Sequence, residues 1–212
     1  SHLNSRKIHM RLPHHLFGKA RRGLIAALAL LALPGLAACG SMDQINPFVS
    51  EEDTLPPPCP SVSILANAER ITIFRPGDGQ DLTDIDTEAQ IDDFFANCIH
   101  DVDKETGIGQ IDIELSLGVI ASRGPANTSK IADLPYFVTI TTLEKELLSK
   151  GVFVIPVGFE GNRYKVSLFD EPVILTIPIA PPVIGYEFRI YVGFQLTPAQ
   201  LEYNQKVSSL GG

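Results

Sequence analysis

The sequence predicts an all-β fold, namely an antiparallel β-sandwich that ends in a short C-terminal helix. Three features lead to this prediction. Apolar and polar residues alternate with a period of two along most of the chain after residue 60, turn-forming residues separate about nine such stretches, and a sustained helical period is lacking before residue 197.

The first predicted strands lie between residues 61 and 99. Residues 61–75 alternate apolar and polar side chains and predict two short strands around a turn at Asn67. Residues 75–79 contain Pro and Gly and predict a turn. Residues 83–99 have a composition compatible with a helix, but their apolar residues alternate, so we interpret them as a strand.

The middle of the chain holds the clearest strand. Apolar residues occupy every second position from Ile111 to Val119 and alternate with Asp112 and Glu114, as in a strand with one buried face. A loop is predicted at residues 123–134, and residues 144–151 are either a helical turn or the end of a hairpin. Further strands are predicted at residues 136–143, 152–159, 164–168 and 172–179.

The last strand precedes the helix. The alternation in residues 185–196 predicts a buried face made of Phe188, Ile190, Val192 and Phe194 and an outer face with Arg189 and Gln195. Thr197 and Pro198 are typical of an N-cap followed by proline in the first helical position, and they predict a helix to about Lys206.

This set of short strands is typical of immunoglobulin-like or fibronectin-like sandwiches, and a closed barrel is the alternative. The chain has no Trp, so it lacks the buried tryptophan of antibody domains. Fibronectin-like sandwiches do without that residue, so its absence narrows the subtype and leaves the fold class unchanged.

Residues 10–39 carry a lipid-attachment pattern. A basic start is followed by the apolar residues 23–36, which are too few to span a bilayer, and then by Leu36-Ala37-Ala38-Cys39. This stretch resembles a bacterial lipoprotein signal at all four positions of its box. The resemblance implies a diacylglycerol on the Cys39 sulfur, cleavage before Cys39 and acylation of the new amino group. Gly40 after the cysteine implies a place at the periplasmic side of the outer membrane. The alternative is an ordinary signal peptide with a cysteine nearby by chance.

The resemblance divides the chain into three parts. Residues 1–38 are an upstream extension and the signal peptide, and we expect residues 1–9 to have no structural role. Residues 39–58 are a polar, Pro-rich tether, and residues 59–212 are the sandwich domain. Loss of residues 1–38 removes six basic residues and no acidic ones, which leaves 11 basic and 25 acidic side chains and a formal net charge of −14. Such a charge argues against nucleic acid and anionic lipid surfaces as partners.

Apart from Cys39, the chain contains two cysteines, Cys59 and Cys98. In an oxidising envelope such a pair favours one disulfide over two free thiols. A zinc site is less favoured, because two cysteines and the single histidine after Cys39, His100, do not complete a tetrahedral ligand set.

Motifs for catalysis are lacking in the sequence. It has no nucleophile elbow, phosphate-binding loop, dinucleotide fingerprint or zinc-protease motif, so we assign no catalytic residue and no cofactor. A serine hydrolase site would need His100 to meet a serine and a carboxylate through the fold. We therefore expect a protein that is not an enzyme.

One acidic segment is a weak candidate for calcium. Its acidic residues lie at the first, third, fifth and twelfth positions of a calcium-loop spacing, namely Asp101, Asp103, Glu105 and Asp112. Its glycine, Gly107, lies at the seventh position instead of the sixth, and the last ligand is the shorter Asp. An acidic hairpin is the more ordinary interpretation.

The function expected from the sequence is non-catalytic. The chain resembles, loosely, the many uncharacterised bacterial envelope lipoproteins, which implies a lipid-anchored structural or interaction module with an envelope protein as its partner. The alternative is a calcium- or small-ligand-binding envelope lipoprotein, and a hydrolase has no positive support from the residues.

Overall fold

The computed structural model describes residues 6–9, 58–77, 79–181 and 185–210, which belong to one compact unit of the chain. These residues form two β-sheets, one α-helix and three short 3-10 helices. The described strands are β1 (Arg6–His9), β2 (Ser61–Ile64), β3 (Arg70–Phe74), β4 (Ile85–Val102), β5 (Gly109–Arg123), β6 (Ile131–Thr142), β7 (Leu147–Gly158), β8 (Lys165–Phe169), β9 (Val173–Ile179) and β10 (Phe188–Phe194), and the helix is α1 (Pro198–Leu210). Within these ranges, no helix has the length and apolar character needed to cross a membrane.

The two sheets pack as a sandwich. The first has the order β1-β9-β5-β4-β3, with β8 also paired to β5, and the second has the order β2-β10-β6-β7. The all-β sandwich with a C-terminal helix is therefore confirmed. The sheets are mixed rather than wholly antiparallel, because β1 runs parallel to β9 and β2 runs parallel to β10. Period-two alternation carries no information about strand direction, so the sequence did not distinguish these pairs.

The core lies between the sheets and follows the predicted alternation. Ile111, Ile113, Leu115, Leu117 and Val119 of β5 are buried. The predicted inner face of β10 is buried as well, with Phe188 2% exposed and Ile190, Val192 and Phe194 fully buried. Arg189 and Gln195 are partly exposed, as predicted.

Three boundaries differ from the sequence prediction. β4 continues to Val102, because it pairs along its length with β5 in a long hairpin. β6 begins at Ile131 and passes through Pro135, whose carbonyl accepts a hydrogen bond from the Gln195 backbone N–H. β7 begins at Leu147 instead of residue 152, and residues 143–146 form a hairpin turn, one of the two predicted alternatives, with a positive φ of 68° at Lys145.

The predicted helix is confirmed and extends to Leu210. Its first turn is closed reciprocally, since the Gln200 backbone N–H donates to Thr197 Oγ1 over 3.3 Å and the Thr197 backbone N–H donates to Gln200 Oε1 over 2.9 Å. The helix packs beside β3, where Asn204 Nδ2 donates to the Arg70 carbonyl over 2.8 Å. Tyr203 meets Phe74 edge to face, with ring centroids 5.3 Å apart.

One expectation about the N-terminal residues is wrong. Residues 1–9 were expected to have no structural role, yet Arg6–His9 form β1 at the edge of the first sheet. Four residues are too few to show a period, and the contacts of this strand are made with residues more than 140 positions away. Local sequence patterns therefore contain no signal for it.

Candidate functional site

The predicted disulfide is confirmed. Cys59 and Cys98 are joined, with their Cα atoms 6.2 Å apart. Cys59 lies just before β2 of one sheet and Cys98 lies on β4 of the other, so the bond connects the two layers of the sandwich. Cys39, the predicted lipidation residue, lies outside the described residues.

His100 lies beside this disulfide. Its Nε2 atom is 3.9 Å from Cys98 Sγ, and the ligand atoms of Cys59, Cys98 and His100 all lie within 4.8 Å of one another. Across the described residues this is the one group of three such side chains close enough to share a metal ion. Both sulfurs belong to the disulfide and are not thiolates, so the group lacks the ligands that zinc requires.

The acidic segment forms the turn between β4 and β5. Asp103 Oδ1 accepts hydrogen bonds from Thr106 Oγ1 over 2.7 Å, from the Thr106 backbone N–H over 2.8 Å and from the Glu105 backbone N–H over 3.2 Å. The Thr106 hydroxyl, followed by these backbone bonds, lowers the pKa of the Asp103 carboxyl below its usual value. Asp112 lies on β5 and accepts from Thr176 Oγ1 over 2.7 Å.

These contacts give the carboxylates structural roles. Asp103 closes the turn, and Gly107 takes a positive φ of 69° at its end. Asp101, Asp103, Glu105 and Asp112 do not form a shared group of potential metal ligands in the described residues. The loop therefore has the features of an acidic hairpin.

We expect calcium to leave the melting temperature of the protein unchanged. A weak extracellular-type site has a Kd of about 0.1–1 mM, so 10 mM calcium would add about 1–3 kcal/mol to the free energy of unfolding. Because Asp103 Oδ1 already accepts from three donors within its own turn, we expect a shift below about 1 °C. Thermal melts in 10 mM calcium and 10 mM magnesium measure this. A rise specific to calcium that Asp103→Asn abolishes would establish the site.

The most distinctive polar cluster of the structure lies where β1 meets the sandwich. Arg6 donates from one terminal nitrogen to Asp170 Oδ2 over 2.6 Å and to the Glu171 carbonyl over 2.9 Å, and from the other to the Val154 carbonyl over 3.2 Å. Its guanidinium carbon lies 5.5 Å from the centre of the Phe153 ring. The arginine thus contacts β7 and the residues just before β9.

Asp170 is the acidic centre of this cluster. Its side chain is only 4% exposed, and the same Oδ2 atom accepts a hydrogen bond from the Tyr136 hydroxyl over 2.8 Å. Burial, and then the hydrogen bond to Asp170, raises the pKa of Tyr136 far above its ordinary value, so the phenol remains a donor at any physiological pH. The pair presents a carboxylate that is already oriented toward a cation.

An apolar contact completes the cluster two residues along β1. Ile8 is 8% exposed and lies opposite Leu175 of β9, while its Cδ1 atom packs over Gly151 of β7. A Cβ atom added to Gly151 would lie 2.4 Å from Ile8 Cδ1. The glycine therefore provides the space that the isoleucine occupies.

Together these residues form what we call the β9 seat: the edge of β9 that pairs with β1, the Asp170–Tyr136 pair and the Gly151 space. It binds an extended segment through its backbone, one cationic side chain and one aliphatic side chain. No sequence motif predicts the seat, because its parts lie in three separate segments of the chain: Tyr136 on β6, Gly151 on β7, and Asp170 with β9. A glycine within a strand often marks a close approach, and Gly151 was the one local signal.

Comparisons with known proteins provide no relatives from which a function can be transferred. The chain matches no protein-family model, no curated protein and no solved structure. Function is therefore inferred from the residues and contacts of this chain.

Proposed function

We propose that this chain is a non-catalytic, lipid-anchored envelope protein that acts as an interaction or structural module at the periplasmic side of the outer membrane. The observation that carries the proposal is the box Leu36-Ala37-Ala38-Cys39 directly after a short apolar segment. Diacylglycerol and a further acyl chain at Cys39 anchor the chain stably, whereas a single chain gives only marginal binding.

The disulfide supports the exported location. Disulfides persist in oxidising compartments such as the periplasm and are rare in the cytosol, where thiols are kept reduced. The Cys59–Cys98 bond joins residues 39 positions apart and links both sheets. Its presence fits a domain that folds after export.

The position of the disulfide also suits a tethered domain. Residues 40–58 separate the anchor from Cys59, and a chain of this length spans at most about 60–70 Å when fully extended. Any pull on the tether enters the domain at Cys59, which is bonded to the long strand β4. A force on the tether therefore acts on both sheets of the sandwich and not only on the short strand β2.

The absence of a catalytic motif agrees with a non-enzymatic role. His100 is the single histidine after Cys39, and it lies against the Cys98 sulfur. The Tyr136 hydroxyl donates to Asp170, and Asp170 accepts from Arg6, so in the structure this pair makes contacts within the chain.

Replacing Cys39 is expected to abolish lipid attachment. In cells fed a labelled fatty acid, we expect the parent protein to carry label and the Cys39→Ala variant to carry none, because the acceptor sulfur is lost. The variant is also expected to retain residues 1–38. Ser41→Ala, two positions away, is the matched control and should label like the parent. Equal label in Cys39→Ala and the parent would overturn the proposed anchor.

A further inference from the structure

In the structure the β9 seat is filled by β1, which belongs to the residues that processing would remove. We propose that, once residues 1–38 have been removed, the seat binds an extended segment of a partner protein that carries an arginine followed two residues later by a branched aliphatic residue. This inference rests on the proposed function, because cleavage before Cys39 separates Arg6–His9 from the domain. The segment binds as an added parallel strand.

The backbone of β9 is the first argument for this proposal. One edge of β9 pairs with β5, and the other pairs only with β1 in the described residues, from Arg6 opposite Val173 to His9 opposite Thr176. Loss of β1 leaves the outward N–H and C=O groups of β9 without strand partners. A free edge of this kind is the site at which extended peptides add to a sheet.

The position of β1 between the two layers is the second argument. β1 pairs with β9 of the first sheet and also contacts β7, the last strand of the second. Arg6 and Ile8 lie opposite Val173 and Leu175, which are fully buried. A segment in this place therefore adds its own side chain to the edge of the apolar core, as Ile8 does at 8% exposure.

Charge determines the chemistry of the occupant. The Asp170 carboxylate is held between the Tyr136 hydroxyl and the Arg6 guanidinium, and the Glu171 and Val154 carbonyls accept from the same guanidinium. One carboxylate and two carbonyls around a planar donor suit arginine better than lysine, because the guanidinium donates in several directions at once. The formal charge of −14 on the processed chain further favours a basic partner.

Shape determines the second residue of the occupant. Gly151 leaves room for a side chain at the position of Ile8, and Phe153 of β7 and Leu175 of β9 lie beside this position. Because Arg6 and Ile8 point to the same side of the added strand, the two recognised residues must be two positions apart.

The processed chain itself contains no suitable occupant. Residues 40–57 of the tether have no Arg, Lys or His, so the tether brings no cation to Asp170. After Cys39, no arginine is followed two positions later by Ile, Leu or Val; the residues in those positions are Thr72, Gly77, Pro125, Lys165 and Tyr191. A second copy of residues 39–212 therefore lacks the recognised spacing, which favours a different protein as the source of the occupant.

A peptide with the sequence of residues 4–11 provides the probe. Two proteins are tested: the processed protein purified from membranes, and the full-length chain with Arg6→Ala and Ile8→Asp, which releases its own strand. Both are expected to bind the labelled peptide saturably in fluorescence anisotropy. The unaltered full-length chain is expected to bind at least about tenfold more weakly, because its own β1 competes.

Matched variants test the two recognised contacts. Asp170→Asn in either protein, and Arg→Gln in the peptide, are each expected to weaken binding about tenfold or more. Gly151→Ala is expected to do the same by filling the space for the isoleucine, whereas Gly158→Ala on the same strand should have no effect, since nothing lies within 4 Å of its added Cβ.

Several results would overturn the inference. These are a lack of saturable binding in both proteins, binding that Asp170→Asn and Gly151→Ala leave unchanged, or a processed chain that dimerises through this edge. A different result would contradict the proposed function. If the membrane protein retains residues 6–9, the anchor proposal is wrong, and the released full-length variant still decides whether the seat recognises the segment.

Discussion

Replacing both Cys59 and Cys98 by alanine is expected to lower the free energy of unfolding by about 4 kcal/mol. The bond closes a loop of 39 residues, and its loss returns the corresponding loop entropy to the unfolded chain. Because the bond connects the two sheets, its removal also frees the start of β2. Urea unfolding followed by circular dichroism measures the change.

Reduction provides the control for this double variant. The parent protein in dithiothreitol is expected to unfold at the same urea concentration as the variant, since both lack only the bond. If removal of the bond changes the free energy of unfolding by less than about 1 kcal/mol, the disulfide does not hold the sandwich together.

Phe194→Ala is expected to lower the free energy of unfolding by about 3–5 kcal/mol. Phe194 is fully buried at the end of β10, opposite Tyr136 of β6, and truncation leaves a cavity between the sheets. Phe95→Ala is the matched control. Phe95 lies on β4 and is 58% exposed, so the same substitution there should change the free energy by no more than about 0.5 kcal/mol.

The comparison of these two phenylalanines tests which face of β10 packs against the core. Equal losses of stability in both variants, measured by urea unfolding, would mean that β10 does not present Phe194 to the core. The alternation read from residues 185–196 would then have been assigned to the wrong face, because a shift of one residue exchanges the two faces of a strand.

Most of the fold was predictable because a strand with one face buried in a sandwich has an apolar residue at every second position of its sequence. β5 and β10 each have one buried face, so their apolar residues alternate clearly. The helix was predictable from its cap at Thr197, which makes the reciprocal bonds with Gln200. The direction of the strands was not predictable, since a strand buries the same face beside a parallel partner as beside an antiparallel one.

The candidate site was much less predictable. Arg6 and Asp170 are 164 positions apart, and neither belongs to a motif. Asp170 has an ordinary place at the end of β8, where an acidic residue usually faces water. The contact of Asp170 with the Tyr136 hydroxyl and its place next to the β9 edge arise only from the tertiary fold.

For the acidic segment at residues 101–112, by contrast, the sequence suggests a site that the contacts in the structure do not support. Its spacing resembles a calcium loop, but the carboxylate of Asp103 bonds to the backbone of its own turn. Asp112 lies on the following strand, where it accepts from Thr176. Spacing alone does not specify a site when the backbone between the residues forms a hairpin.

The most direct test of the proposed anchor and of the vacated β9 seat is the intact mass of the protein extracted from bacterial membranes. We expect a chain that begins at Cys39, carries the Cys59–Cys98 disulfide and is heavier than its amino acids by a diacylglycerol and one further acyl group. A mass that includes residues 6–9 would contradict both the anchor and the release of the seat, whereas a chain that begins at Cys39 without any lipid would contradict the anchor alone.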